Sequence, residues 1–459
     1  MKVKRFNAIV IGTGQAGPPL AARLATAGQN VAIVERKLFG GTCVNTGCVP
    51  TKTLVASARA AAVARRAADY GVLLSGPVGF DLRRAKARAD AASLASRRGV
   101  ESSLRENPRC TVLQGHARFV ARDAVQVGDD TLEAKRIFID VGGRARVAIR
   151  GAAEVPHLTN ASMLALESLP RHLVIIGGGP VGLEFAQMYR RFGSEVTVVE
   201  MRSRLLDHED EDVSIEVQRT LEGEGVRVRL AAECISLAPA RDGVAVSLDC
   251  GAGDPTVTGS HVLLAIGRKP NTDDLGLEHA GVKVDGRGYV VVDDVLRTSA
   301  PGIWALGECN GHGAFTHTAY DDYEIVAANL LDGEPRKLSD RIEAYAVYMD
   351  PPLGRAGLSA DAARKTGRAH LVGERRMTRV ARAVEKGETQ GFMRAIVDAE
   401  TSKIVGATIL GTGGDEAIHA LLYAMYAGAT AKTLTHSVGI HPTVSELLPT
   451  ILGELRPLV

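Results

Sequence analysis

Apolar and polar positions along the chain first fall into a short apolar run, Ala8-Ile9-Val10-Ile11, followed by Gly12-Thr13-Gly14-Gln15-Ala16-Gly17. An alanine-rich stretch through Ala27 comes next, and then a second apolar run, Val31–Val34, closed by Glu35. Apolar run, glycine turn, helical period and apolar run together predict one βαβ unit of a parallel sheet. Gly12 makes the tight turn, Gly14 lets the backbone approach a pyrophosphate, and Gly17 lets the helix pack on the sheet. The free N–H groups and dipole of that helix then favour phosphate. Glu35 is placed to accept the hydrogen bonds of a ribose diol. From Ala56 to about Arg105 the period is helical, broken by Gly71 and Gly76-Pro77, which predicts two helices with a solvated arginine face. Strand-like runs follow at Thr111–Leu113, Ala117–Val120, Val125–Val127 and Arg136–Val141. The last ends in Gly142-Gly143, which puts Gly142 at a sheet edge near a dinucleotide.

The opening pattern then repeats. Leu173–Ile176 leads into Gly177-Gly178-Gly179-Pro180-Val181-Gly182, a helix through Phe192, and Val196–Val199 closed by Glu200, at the same offset from its first glycine as Glu35. Two such units imply two dinucleotide sites, with Gly177, Gly179, Gly182 and Glu200 forming the second. One site can hold a flavin and the other a nicotinamide. Two further apolar strands leave through glycine, one at Gly267-Arg268 and one at Gly307-Glu308, where Glu308 is placed to hydrogen-bond a cofactor hydroxyl. Thr316-His317-Thr318 reads as a capped helix start whose positive end can stabilise a reduced, anionic flavin ring. Beyond Lys337 come short strands at Met393–Val397 and Ile404–Leu410 and helices near Glu416–Ala427 and Val444–Leu452, an α+β region.

Composition narrows the function classes. A chain of 459 residues suits two to four domains, at about 100–200 residues each. A formal net charge of +2 with 4% aromatic residues gives no electrostatic or stacking case for nucleic acid. Nothing approaches the ~18 uninterrupted apolar residues of a membrane span. Met1–Phe6 runs directly into the first strand, so no signal peptide is expected and the protein is read as cytoplasmic. Six cysteines are too few for a secreted disulfide framework. Cys110, Cys234, Cys250 and Cys309 are scattered and read as free thiols.

Cys43 and Cys48 stand apart from these. Thiols five residues apart on a regular helix are roughly 8–9 Å apart at Cα, beyond the ~7 Å a disulfide tolerates, so the segment must bend. Gly47, with Gly40-Gly41 before the pair, supplies that freedom. A helix following from Leu54, and Lys52 beside it, favours a thiolate. Two buried structural thiols are the bland alternative. The flanking fingerprint favours a redox-active pair beside a flavin, with Gly41 and Thr42 against the cofactor. Near the C-terminus, His441 can act as a general base oriented by Glu446 on the opening turn of the last helix. No resident metal site is expected.

The two glycine fingerprints, GGTCVNTGCVPTK, GIWALGE and HPTVSE, in that order, resemble the flavoprotein disulfide reductases over nearly the whole chain. Pro50–Val55 and Met349–Leu353 look most like the mercuric-reductase-like branch, which includes the reactive-chlorine-resistance flavoproteins. The resemblance implies an α/β fold with an FAD domain (1–147 and 268–337), an NAD(P) domain (148–267) and a C-terminal dimerisation domain (338–459). It places Gly12, Gly14, Gly17 and Glu35 on FAD, with Glu308 on its ribitol side, and the second fingerprint on the nicotinamide cofactor. Cys48 becomes the thiolate beside the flavin and Cys43 the thiol that attacks substrate. Lys52 pairs with Glu184, and His441 with Glu446 acts across a homodimer interface. Glu200 favours NADH, with Arg202 and Arg204 close enough to tolerate NADPH. The implied function is transfer of electrons from NAD(P)H through flavin and the Cys43–Cys48 disulfide to a small disulfide or a metal ion. Alternatives are dihydrolipoamide dehydrogenase, a disulfide-independent diaphorase or oxidase, and a redox sensor. Here Glu308 stands where most relatives have aspartate. The tail Glu454–Val459 has no thiol, which argues against efficient mercury handling because soft ions prefer thiolates.

Overall fold

A computed structural model describes residues 2–249 and 254–459; Cys250, read above as a free thiol, lies outside the described residues. Strand Lys2–Ile11 pairs in parallel with Val31–Glu35 on one side and Asp130–Ile139 on the other, and Cys110–Gln114 extends the sheet beyond Val31–Glu35. Strand Asp130–Ile139 serves two partners. Its first half pairs antiparallel with Ala124–Val127, and its second half pairs in parallel with Ile303–Ala305, far away in sequence. The apolar runs explain this sheet, since Ala8–Val10 and Val31–Val34 are all but fully buried, as strands covered on both faces must be.

The second fingerprint builds a separate parallel sheet, Arg227–Arg229, Glu195–Val199, His172–Ile176 and His261–Leu264 in spatial order. A three-stranded antiparallel sheet, Glu233–Ala240, Gly243–Asp249 and Thr256–Gly259, lies beside it. The C-terminal region forms a six-stranded sheet centred on Phe392–Asp398 and Ile404–Leu410, with helix Gly414–Tyr426 packed on it. The chain is therefore α/β, with two dinucleotide-type sheets and a C-terminal α+β unit.

The helices expected from Ala56 onward are Cys48–Arg65 and Leu82–Glu106. Asp81 caps the second by accepting from Arg84 N–H at 3.0 Å. The helix expected over Val444–Leu452 is divided: a 3₁₀ turn covers Ser445–Leu447, and the α-helix runs only over Leu448–Gly453. Pro449 explains the break. It lacks an N–H and belongs in the first turn of a helix, so the α-helix has to start beside it. No helix among the described residues is long and apolar enough to cross a membrane.

Candidate active site

The glycines of both fingerprints fold alike. Gly12 and Gly177 take φ +112° and +115°. A Cβ on Gly17 would lie 2.3 Å from Gly12 O, and one on Gly182 would lie 2.1 Å from Gly177 O. Only glycine lets each helix pack that close. The acidic residues repeat too: Glu35 Oε2 accepts from Thr13 N–H at 3.1 Å, and Glu200 Oε2 accepts from Gly178 N–H at 2.6 Å, each pair 22 residues apart. These carboxylates, expected to read ribose, also brace their own loops; Glu200 Oε1 accepts from Arg202 N–H at 2.8 Å as well. Neither helix is capped by its own N-cap side chain, and a Cβ on Gly179 would meet nothing within 4 Å. At the second helix, N–H groups beside the open space at Gly179 fit the diphosphate of a dinucleotide. At the first, the Gly17 N–H is taken by Asp140 and Pro18 and Pro19 carry none, so a diphosphate there has to be met by the glycine loop before the helix. The residues present therefore fit a dinucleotide at each loop.

The cysteine segment is tied directly to the first loop. Gly40 N–H donates to Thr13 O at 3.0 Å and Gln15 Nε2 to Gly40 O at 3.1 Å. At Gly41 (φ +62°) a Cβ would fall 2.9 Å from Gly14 Cα. The bend required by the thiol spacing is at Gly47, which separates helix Gly41–Thr46 from Cys48–Arg65. Both thiols are free in this structure, Cys43 half-buried and Cys48 more exposed. Cys43 shares a hydrogen bond with Cys48, which lowers the Cys48 thiol to about 6 against the penalty of burial, with help from Thr316 and the Lys52 charge. The same hydrogen bond and burial push Cys43 upward. The pair is thus split into a thiolate and a thiol.

Lys52 Nζ lies 2.6 Å from Glu184 Oε2. Glu184 is buried and also accepts from Tyr348 N–H at 2.9 Å. Lys52 Nζ stands 4.7 Å from the Tyr348 ring centroid, within cation–π range. Helix Thr316–Ala327 starts at the thiols, but Thr316 does not cap it. Phe315 holds the N-cap position, Thr318 Oγ1 accepts from Phe315 N–H, and the Thr316 hydroxyl stands 3.3 Å from Cys48 Sγ. His317 Nε2 donates to Ala344 O at 2.7 Å, and burial holds its imidazole below the ordinary range.

Glu308 is paired with Arg268, at 2.5 Å to Nε and 3.0 Å to Nη2, and Arg268 also donates to Gly143 O at 2.6 Å. The carboxylate expected to face a cofactor hydroxyl is thus engaged by a neighbouring guanidinium, which reaches within 3.5 Å of Thr42 Oγ1. Gly142 and Gly267, at φ +59° and +98°, face open space. His441 Nδ1 lies 3.0 Å from Glu446 Oε2 and 3.2 Å from Oε1, on an exposed loop with Val438 and Ile440.

Sequence reasoning missed one group in the first loop. Asp140, at the end of an apolar strand, is buried, and its Oδ2 accepts from Gly17 N–H at 2.8 Å. An acidic residue closing an apolar run just before the Gly142-Gly143 exit was the available signal.

The family model of pyridine nucleotide-disulphide oxidoreductases matches residues 6–322, and that family's dimerisation domain matches residues 344–451. Probable pyridine nucleotide-disulfide oxidoreductase RclA of Escherichia coli is 34% identical over 99% of this chain and 100% of its own length. Dihydrolipoyl dehydrogenase of Thermus scotoductus is 34% identical over 97% and 96%, and mercuric reductase of Streptomyces lividans 32% identical over 96% and 94%. Among solved structures, the Cu(II) complex of the HOCl-induced flavoprotein disulfide reductase RclA from E. coli superposes with TM-score 0.89. It is 33% identical and covers 98% of this chain and 99% of its own. With matches spanning both fingerprints, the cysteine segment and the C-terminal sheet, the chain belongs to the pyridine nucleotide-disulphide oxidoreductases, and is an NAD(P)H-dependent flavoprotein disulfide oxidoreductase.

Proposed function

We propose that this chain works as a homodimer with FAD on the first fingerprint and NAD(P)H, NADH by preference, on the second, cycling Cys43 and Cys48 to reduce a small disulfide or a metal ion. The observation that carries this reading is the split thiol pair, with Cys48 lowered to about 6 and Cys43 raised, on a segment bonded to the first fingerprint. The domains are then 1–147 with 268–337 for FAD, 148–267 for NAD(P)H and 338–459 for the dimer interface, in a cytoplasmic enzyme. Bound FAD supplies the route by which two electrons from NAD(P)H reach the sulfurs.

The chain's own residues do the rest. Two electrons and two protons convert the Cys43–Cys48 disulfide to the dithiol. Cys43, once deprotonated, attacks an acceptor disulfide and displaces one thiolate, which takes its proton from His441 of the partner subunit. Cys48 then attacks the Cys43 sulfur, releases the second thiol and restores the disulfide. Glu446 fixes the His441 tautomer, and Lys52, held by Glu184, keeps positive charge beside the pair. A metal-ion acceptor draws on the same two thiolates, which soft ions prefer. RclA of E. coli, solved as a Cu(II) complex, makes copper a natural first ion to try.

The deciding experiment is anaerobic NADH oxidation against lipoamide, glutathione disulfide, Hg(II) and Cu(II), with Cys43→Ser alongside. Rapid turnover of one acceptor that disappears in the variant supports the proposal. Equal activity in both proteins sinks it and leaves a disulfide-independent diaphorase. Dihydrolipoyl dehydrogenase activity is the second reading, favoured by the paired His441 and Glu446, and lipoamide tests it directly.

A further inference from the structure

The glycine frameworks of the two fingerprints match, but the residue beneath them does not. A Cβ on Gly12 would strike Asp140 O at 2.1 Å, and one on Gly177 would strike Ala265 O at 2.3 Å, so Asp140 and Ala265 are equivalent positions. The second loop has a methyl group there, and the first has a carboxyl. That carboxyl is enclosed by the loop. Cβ atoms built on Gly14, Gly17 and Gly307 would come within 2.9, 3.0 and 3.1 Å of its oxygens. It also takes the Gly17 N–H, at the start of the ten-residue helix Gly17–Thr26 that should face a diphosphate.

Two anions cannot both occupy a buried helix start without large cost. We propose that Asp140 is a positioning residue of the first dinucleotide site that must carry a proton while the diphosphate is bound, so that flavin retention is tied to pH. This rests on FAD occupying the first fingerprint. The surroundings agree with it. Burial pushes Asp140 up to about 8, and the charged neighbours that act on it most are acidic, Asp322 and Glu35. Glu35 belongs to strand Val31–Glu35. Asp322, on helix Thr316–Ala327, is itself paired with Arg341 and accepts from Gly307 N–H and Asn310 Nδ2. In the turn Gly307–Asn310, the Cys309 thiol is fully buried and pushed up, and Glu308 is held by Arg268. Burial and the acidic neighbours therefore outweigh the Gly17 and Ala16 N–H bonds, which favour the charged form, and a diphosphate adds to the preference for the neutral one.

The sign follows by linkage. Protonated Asp140 binds flavin and charged Asp140 repels it, so affinity is steady while Asp140 is protonated in the empty site. It then falls by about tenfold per pH unit once that proton is lost. The test is equilibrium dialysis of purified holoenzyme against limiting FAD between pH 6.5 and 9.5, reading bound flavin by absorbance. It uses wild type, Asp140→Asn and Asp140→Ala. The expected result is a loss of affinity above about pH 8 in wild type, from the shift given by burial and acidic neighbours. Both variants should give flat profiles, and Asn should bind best at high pH because it keeps the acceptor for Gly17 without the charge. NADH affinity, read on the second loop, should not change with Asp140. A flat wild-type profile, or the same slope in Asn, overturns the inference and leaves the flavin reading intact. A protein that takes up no FAD at all overturns both.

Discussion

At the residue scale the site works by giving unlike roles to like groups. Cys43 and Cys48 differ because only Cys48 accepts a hydrogen bond from its twin and feels Lys52. The lowered Cys48 thiol means that its thiolate is lost as pH falls through about 6. Reduction of the preferred acceptor should therefore decline below that pH, and stopped-flow rates across pH 5–8 check it. Lys52→Met removes one lowering influence, and should move the acid limb upward by about one pH unit. An unmoved limb would show that Lys52 does not act on Cys48. Lys52 with Glu184, and His441 with Glu446, were legible in the sequence because they ride on motif segments. Asp140 and the Arg268–Glu308 pair were not, since their partners are set by sheets that meet only in three dimensions.

At the element scale the two βαβ units share one glycine framework, and the proposed duties can be told apart by substitution. Gly17→Ala and Gly182→Ala each drive a methyl into a backbone carbonyl, at 2.3 and 2.1 Å. Gly17→Ala should yield colourless protein, and Gly182→Ala a yellow protein whose KM for NADH rises by about tenfold or more. Flavin absorbance after purification and steady-state kinetics distinguish them, and loss of flavin from Gly182→Ala would refute the assignment of the two loops. Periodicity and glycine placement revealed these units, since buried parallel strands read as unbroken apolar runs. The antiparallel sheet over Glu233–Gly259 left little mark on the sequence: strand Glu233–Ala240 is mostly exposed or half-buried, so no clean alternation was imposed. Pro449 was visible, yet its effect on the last helix went unread. Thr316, assigned a capping role from residue type, instead turns its hydroxyl to Cys48.

At the scale of the whole molecule, ionic clamps hold the C-terminal sheet against the second dinucleotide unit. Arg394, on strand Phe392–Asp398, reaches Asp210 at 3.1 Å and Glu374 at 2.6 Å and also pairs with Asp212, while Asp210 accepts from Ala360 and Asp361 N–H. Breaking a buried ion pair from one side costs about 3–5 kcal/mol, so Asp210→Ala should lower the thermal midpoint clearly, measured by flavin release on heating. If His441 serves its neighbour's thiols, inactive Cys43→Ser and His441→Gln proteins should regain about a quarter of wild-type activity when remixed, because half the dimers then hold one complete site. No recovery after proven exchange would place His441 outside the site. The double duty of strand Asp130–Ile139, whose outer half waits for Ile303–Ala305, bears on how the polypeptide matures. During synthesis the later sheet, built wholly from residues between His172 and Leu264, can close while the earlier one still lacks its last strand. Translation thus finishes the second-encoded compartment first, and ribosome-bound chains halted before Ile303 should capture nicotinamide nucleotide ahead of flavin.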